Sequence, residues 1–141
     1  MDDIRALAGK TYNEAFEAVE SGENKAWAVE LAATSLNLWR RVGTAKNLSI
    51  GCWLYSRALA KAGAGELALE VAKNMLHHLE NVEAPEDWLK ASALEGWARA
   101  CFAAADERFE AALQDARTAI DAIVNPADRE LIAGQLADLL S

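Results

Sequence analysis

The chain has 141 residues, 52% of them apolar and 26% charged, with a formal net charge of −8 and only two cysteines. That length buries a full core in one domain without disulfide or metal staples, and the composition is globular rather than disordered. The acidity argues against nucleic acid or an anionic membrane as the main partner, and the apolar stretches are too short and too broken by charge to span a bilayer.

The first residues, MDDIRALAGK, are acidic and lack the basic n-region and long apolar run of a secretory signal. Ile4, Leu7, Ala8, Tyr12, Ala15, Phe16 and Val19 then recur at three- and four-residue steps, which predicts a first amphipathic helix. Ser21-Gly22-Glu23 breaks it, and Asn24 or Gly22 can open a second helix carrying Trp27, Leu31, Leu38 and Val42. Gly43 is predicted to end that helix in the C′ role, after Arg40 and Arg41 in its last turn. Thr44 offers an N-cap hydroxyl to a third helix running to about Ala62. Gly63-Ala64-Gly65 is a tight break before a fourth helix ending near Leu79. Pro85 is placed at N1 of a fifth helix, with Glu86 and Asp87 complementing the dipole. A turn near Asp106 leads into a sixth helix ending around Val124, and Asn125-Pro126 opens a seventh through Leu140. Strict alternation and hairpin signals are missing, so the predicted class is all-α.

The second, fourth and sixth helices share a pattern. Ala28-Val29 matches Ala68-Leu69 and Ala112-Leu113, Ala32 matches Ala72 and Ala116, and Leu36 matches Leu76 and Ile120, at spacings of 40 and 44 residues. Each copy sets a small residue where helices approach closely and a large one where they fill space. This predicts three antiparallel helix hairpins, over about 3–43, 44–80 and 85–124, stacked side by side in a single domain 1–141.

With Ala68, Leu69, Ala72 and Leu76, then Ala112, Leu113, Ala116, Ala119 and Ile120, and Phe109 at the turn's aromatic position, the chain resembles the tetratricopeptide-repeat (TPR) family over roughly Ala15 to Val124. The spacing departs from the family's ~34 residues, and the first helices lack its usual glycine and tyrosine, so the resemblance is to a divergent, TPR-like member. It implies a right-handed superhelical stack, a capping helix over 126–140 covering the last hairpin, and peptide binding on a concave face lined by the first helix of each pair.

Helical spacing at ~100° per residue divides the third helix into two stripes. Leu48, Cys52, Tyr55 and Leu59 form a candidate core stripe, and Lys46, Ile50, Trp53, Arg57 and Lys61 form the opposite, basic and aromatic one. No Asp or Glu occurs between Leu31 and Gly65, so this strip is basic within an acidic chain. The resemblance places the same stripe in the groove, and adds Lys10, Asn13, Glu17 and Glu20 from the first helix. A tryptophan flanked by cations can pack an apolar side chain while Arg57 or Lys61 pairs a carboxylate, which would suit a protein or peptide partner with acidic groups. The competing reading makes Trp53 core and its cationic neighbours a solvated helix edge. The family's Lys/Asn carboxylate clamp is not reproduced, since the equivalent four-spaced pairs read Asn13/Glu17, Trp53/Arg57 and Trp97/Cys101. Trp97 is read as core, on the face of Leu94, Cys101 and Ala104, opposite Glu95 and Arg99.

No catalytic, metal or cofactor motif is present: Walker A, G-x-S-x-G, G-x-G-x-x-G, H-E-x-x-H and C-x-x-C are all missing. His77 and His78 are adjacent and point ~100° apart on a helix, which does not suit one metal. Cys52 and Cys101 read as buried thiols in a reducing cytoplasm. The expectation is a non-catalytic protein-interaction module without a cofactor. The alternatives are a self-associating or chaperone-like helical protein, pairing two copies through Ile132, Leu136 and Leu139, and a small-ligand-binding helical bundle.

Overall fold

The computed structural model describes residues 2–140, so Met1 and Ser141, the ends of the predicted domain, lie outside the described residues. Seven helices follow one another: α1 (Asp2–Ser21), α2 (Lys25–Val42), α3 (Ala45–Lys61), α4 (Gly65–Glu80), α5 (Asp87–Ala103), α6 (Phe109–Asp121) and α7 (Pro126–Leu140). No strand occurs among the described residues.

Local chemistry sets most of the boundaries. Asn24 caps α2 by accepting from the Trp27 N–H at 3.0 Å. Thr44 caps α3 in a reciprocal box with Asn47, whose side chain accepts the Thr44 N–H in return. Asn125 accepts from the Asp128 N–H at 3.0 Å, which leaves Pro126 at N1 of α7 as predicted. Two expectations are corrected. Gly43 is extended (φ −88°, ψ 170°) rather than left-handed, and its glycine is explained by space, because a Cβ there would lie 2.7 Å from the Trp39 carbonyl oxygen. Pro85 stands one residue before the N-cap, because the Glu86 carbonyl accepts the first helical bonds from Leu89 and Lys90. The Asp87 carboxylate reaches away from its own helix to accept the Val124 N–H at 3.0 Å, holding the turn before α7.

Consecutive helices pack as hairpins, α1 with α2, α3 with α4 and α5 with α6. The odd-numbered helices also touch in series, α1 with α3, α3 with α5 and α5 with α7, whereas α2, α4 and α6 do not touch one another. One layer is therefore tight and the other splayed, which makes the odd-helix layer the concave face of the stack. The small residues of the repeat allow the close approach: Ala28, Ala32, Ala68, Ala72, Ala112 and Ala116 are all buried. Buried serines pin the hairpins, Ser35 donating to the Ala8 carbonyl, Ser49 to that of Met75 and Ser56 to that of Ala68.

The core falls into two clusters. The larger joins the first two hairpins around Val19, Leu36, Leu54 and Met75. Each such side chain contributes roughly 1.5–3 kcal/mol by leaving water. The second lies between α5, α6 and α7 and includes Leu113, Ile120, Ile132 and Leu136. Ile132 and Leu136 are thus turned inward, and Leu139 is half-buried against the same cluster, so the apolar face expected to pair two copies is spent on covering α5 and α6.

Candidate binding groove

α3 runs through the middle of the stack and meets α1, α2, α4 and α5. Of its predicted core stripe, Cys52 and Leu59 are buried and Leu48 and Tyr55 half-buried; of the opposite stripe, Trp53 and Arg57 are buried, at 6% and 2% exposure, and Lys46, Ile50 and Lys61 half-buried. The expected division into a core stripe and an open basic stripe is corrected: Ile50, Trp53 and Arg57, the middle of the second stripe, form the floor of a groove whose walls are α1 and α7.

At one end of this groove lies an apolar well of about 210 Å³, well above the ~10–15 Å³ that holds one water. Ser49, Ile50 and Trp53 of α3 and Trp88, Leu89, Ser92 and Ala93 of α5 line it, with Met75 beneath. Tyr12 and Phe16 of α1 form one wall, and Leu131, Ile132 and Gln135 of α7 the other. The Phe16 and Trp53 rings stack with centroids 6.3 Å apart. Trp53 is fixed from both sides, because its indole Nε1 donates to Glu95 Oε1 at 2.9 Å and Gly96 leaves no Cβ to displace it. Leu131 remains 63% exposed at the rim. Burial pushes the Tyr12 hydroxyl pKa up to about 12, partly offset by the charge of Arg57.

The other end of the groove is ionic. Arg57 Nε meets Glu20 Oε1 at 3.1 Å, Nη1 lies 3.8 Å from Glu95 Oε2, and Nη2 lies 3.8 Å from Asp138 Oδ2. Glu95, fully buried, also receives Arg99 Nε at 3.0 Å, and Arg99 Nη2 donates to the Gln135 carbonyl at 2.7 Å. Lys61 donates to the Val19 carbonyl at 3.2 Å, and its pKa is lowered by burial and then by the charge of Arg57. Two arginines thus meet Glu20, Glu95 and Asp138 in a seam that ties α1, α3, α5 and α7 together. Within it, Arg57 Nη1 is buried without a hydrogen-bond partner, held only by the longer ion pair.

Ile50, Trp53 and Arg57 therefore come together along the groove, the first two at the well and Arg57 at the ionic end. Lys46 sits beside the well, over the Trp88 ring at 5.2 Å and paired with Glu86 at 2.6 Å. Lys61 lies beyond the seam, beside Asp138 and Leu139. Lys10 and Asn13 are exposed on α1 and do not line the well. Residues that sequence reasoning left out are Trp88, Leu131, Gln135 and Asp138. Glu95 and Arg99 were read as a polar outer face. The signal against that reading was present: Ala91, Ala93, Gly96, Ala98 and Ala100 make α5 small on nearly every side, as a helix surrounded by others must be.

Trp97 is half-buried between both core clusters, with Arg108 stacked over it at 5.1 Å. Cys52 and Cys101 are buried free thiols, and burial raises the Cys52 pKa to about 11. The His77 and His78 rings lie 6.0 Å apart on α4. Among the described residues no group of His, Cys, Asp and Glu is arranged to hold a metal ion, and no helix is long and apolar enough to cross a membrane.

Comparison with protein-family models, with curated proteins and with solved structures gives no match to this chain.

Proposed function

We propose that the chain is a non-catalytic interaction module of TPR-like build, which holds a peptide or a segment of a partner protein in the groove between α1 and α7. The observation that carries this reading is the apolar well on the concave face, with Trp53 fixed in its floor and Leu131 exposed at its rim. A concave, mainly apolar recess with a few polar groups is the usual form of a ligand site. An anchoring side chain buried in such a recess supplies much of the energy of a protein contact. The TPR-like assignment is supported by the three hairpins, by the buried alanines of α2, α4 and α6, and by the concavity of the odd-helix layer. The buried free thiols suit a cytoplasmic protein.

The groove cations expected to meet an acidic partner are engaged within the chain, so the anchor in the well carries the reading and a carboxylate clamp does not. The test is to select displayed 12-residue peptides on the intact chain and measure their affinities for wild type and for Ser92→Trp, which fills the well from its α5 side. Selected peptides are expected to share a large apolar residue and to lose at least tenfold in affinity on that substitution, with helicity and melting midpoint retained. Peptides that bind the variant as tightly as wild type would remove the well as the binding site.

A further inference from the structure

The charges at the ionic end of the groove form a buried set and an exposed set. At the bottom lie Arg57 and Arg99, with side chains 1% and 9% exposed, around the fully buried Glu95. The exposed set at the lip is acidic: the Glu20 and Asp138 side chains are 39% and 67% exposed, and Glu130 is exposed beside them. A ligand descending into the groove therefore meets negative charge first. A carboxylate would have to pass that lip to reach an arginine that three carboxylates already face. The α7 wall adds a steric feature. Glu130, Gly134 and Asp138 follow one another at four-residue steps on a single ridge. A Cβ at Gly134 would meet nothing within 4 Å. The middle of that ridge is a notch where a chain can lie close to the helix backbone, between two carboxylates about 12 Å apart by helical rise.

We infer that the groove takes a cationic amphipathic segment, one that sets a large apolar side chain in the well and a lysine or arginine against Glu130 and Asp138. This deepens the groove-binding reading and rests on it. Coulomb attraction at an exposed lip steers such a segment and sets its register, while the well supplies the anchor. Complementarity of this kind weakens as salt rises, because exposed charges are screened within about 8–10 Å at physiological ionic strength.

The test uses the peptides selected above without any imposed charge. Lysine and arginine should be enriched and aspartate and glutamate depleted around the apolar anchor. Affinity should fall at least tenfold on Glu130→Lys/Asp138→Lys, and at least threefold on Glu130→Lys alone, which leaves the ion pair of Arg57 with Asp138 in place. The charge reversal Glu70→Lys on the opposite layer should change it less than twofold. Affinity for wild type should also fall on raising sodium chloride from 50 to 500 mM. Peptides that need an open well but show neutral or acidic enrichment, or that tolerate both lip variants, would overturn the cationic assignment and leave the groove reading standing. Failure to obtain any peptide sensitive to Ser92→Trp would overturn both.

Discussion

At one end of the groove α3 and α5 present Trp53, Leu89 and Ala93 to an apolar well, and at the other the same two helices present Arg57, Glu95 and Arg99 to an ionic seam. The well leaves volume unoccupied where no buried charge needs an answer, so a guest can enter without breaking anything. The seam sets charge against charge, and its members answer one another across helices that are distant in sequence. An apolar recess thus has room for a ligand, and an ionic cluster beside it ties the walls to the floor. Trp53 joins the two ends, with its ring facing the well and its N–H bonded to Glu95.

The largest effect is expected at the seam. Glu95→Ala removes the carboxylate that serves Arg57, Arg99 and the Trp53 N–H together. Breaking a buried ion pair by deleting one partner costs about 3–5 kcal/mol, because an uncompensated charge is left behind. The urea unfolding midpoint should fall accordingly, and the tryptophan emission should shift as Trp53 loses its anchor. A loss under about 1 kcal/mol would show that the seam is not the clamp described here, since surface pairs alone cost that little.

A smaller effect is expected where the well meets its support. A Cβ on Gly96 would lie 2.6 Å from Trp53 Cδ1 and 3.3 Å from Met75 Sδ. Trp53 cannot yield freely, being stacked on Phe16 and bonded to Glu95. Overpacking of this kind costs typically ~1–3 kcal/mol, against which the helix gains up to ~1 kcal/mol from replacing glycine. Gly96→Ala should therefore destabilise by about 1–2 kcal/mol in urea titration and displace the indole toward the well, lowering peptide affinity. A variant as stable as wild type, with affinity retained, would mean that the floor under Trp53 is soft.

The difference between the two ends also explains what the sequence made legible. Periodicity and caps read one element at a time, and on that scale the sequence spoke clearly: Thr44, Asn24 and Asn125 mark helix starts that the structure reproduces. The alanine repeat of α2, α4 and α6 reported how closely hairpins pack, and so the stack itself. A helical wheel, however, knows the faces of one helix and not the number of its neighbours. α3 has four neighbouring helices and α5 also has four, so faces that look polar on the wheel are buried. Arg57 is acceptable there because Glu20 of α1 and Asp138 of α7, far off in sequence, meet it, and Glu95 because Arg57 and Trp53 of α3 meet it together with Arg99 of its own helix. Trp88 and Leu131 were illegible for the same reason: neither breaks its own helix's pattern, and both matter only through what stands opposite.

The smallest effect on stability, and the sharpest separation of the two ends, is expected from Asp138→Asn. Its carboxylate reaches Arg57 only at 3.8 Å and its side chain is 67% exposed, whereas Glu95 at the same 3.8 Å from Arg57 is fully buried. Exposed pairs contribute about 0.2–1 kcal/mol, and Arg57 keeps Glu20 at 3.1 Å after the change, so the unfolding free energy should move by no more than about 0.5 kcal/mol. The same substitution removes a charge from the lip, and affinity for lysine- or arginine-bearing peptides should drop threefold or more while the melting midpoint stays in place. A stability loss of 2 kcal/mol or more would show that Asp138 carries the seam as Glu95 does. Stability and affinity moving separately would place it on the binding side of the groove.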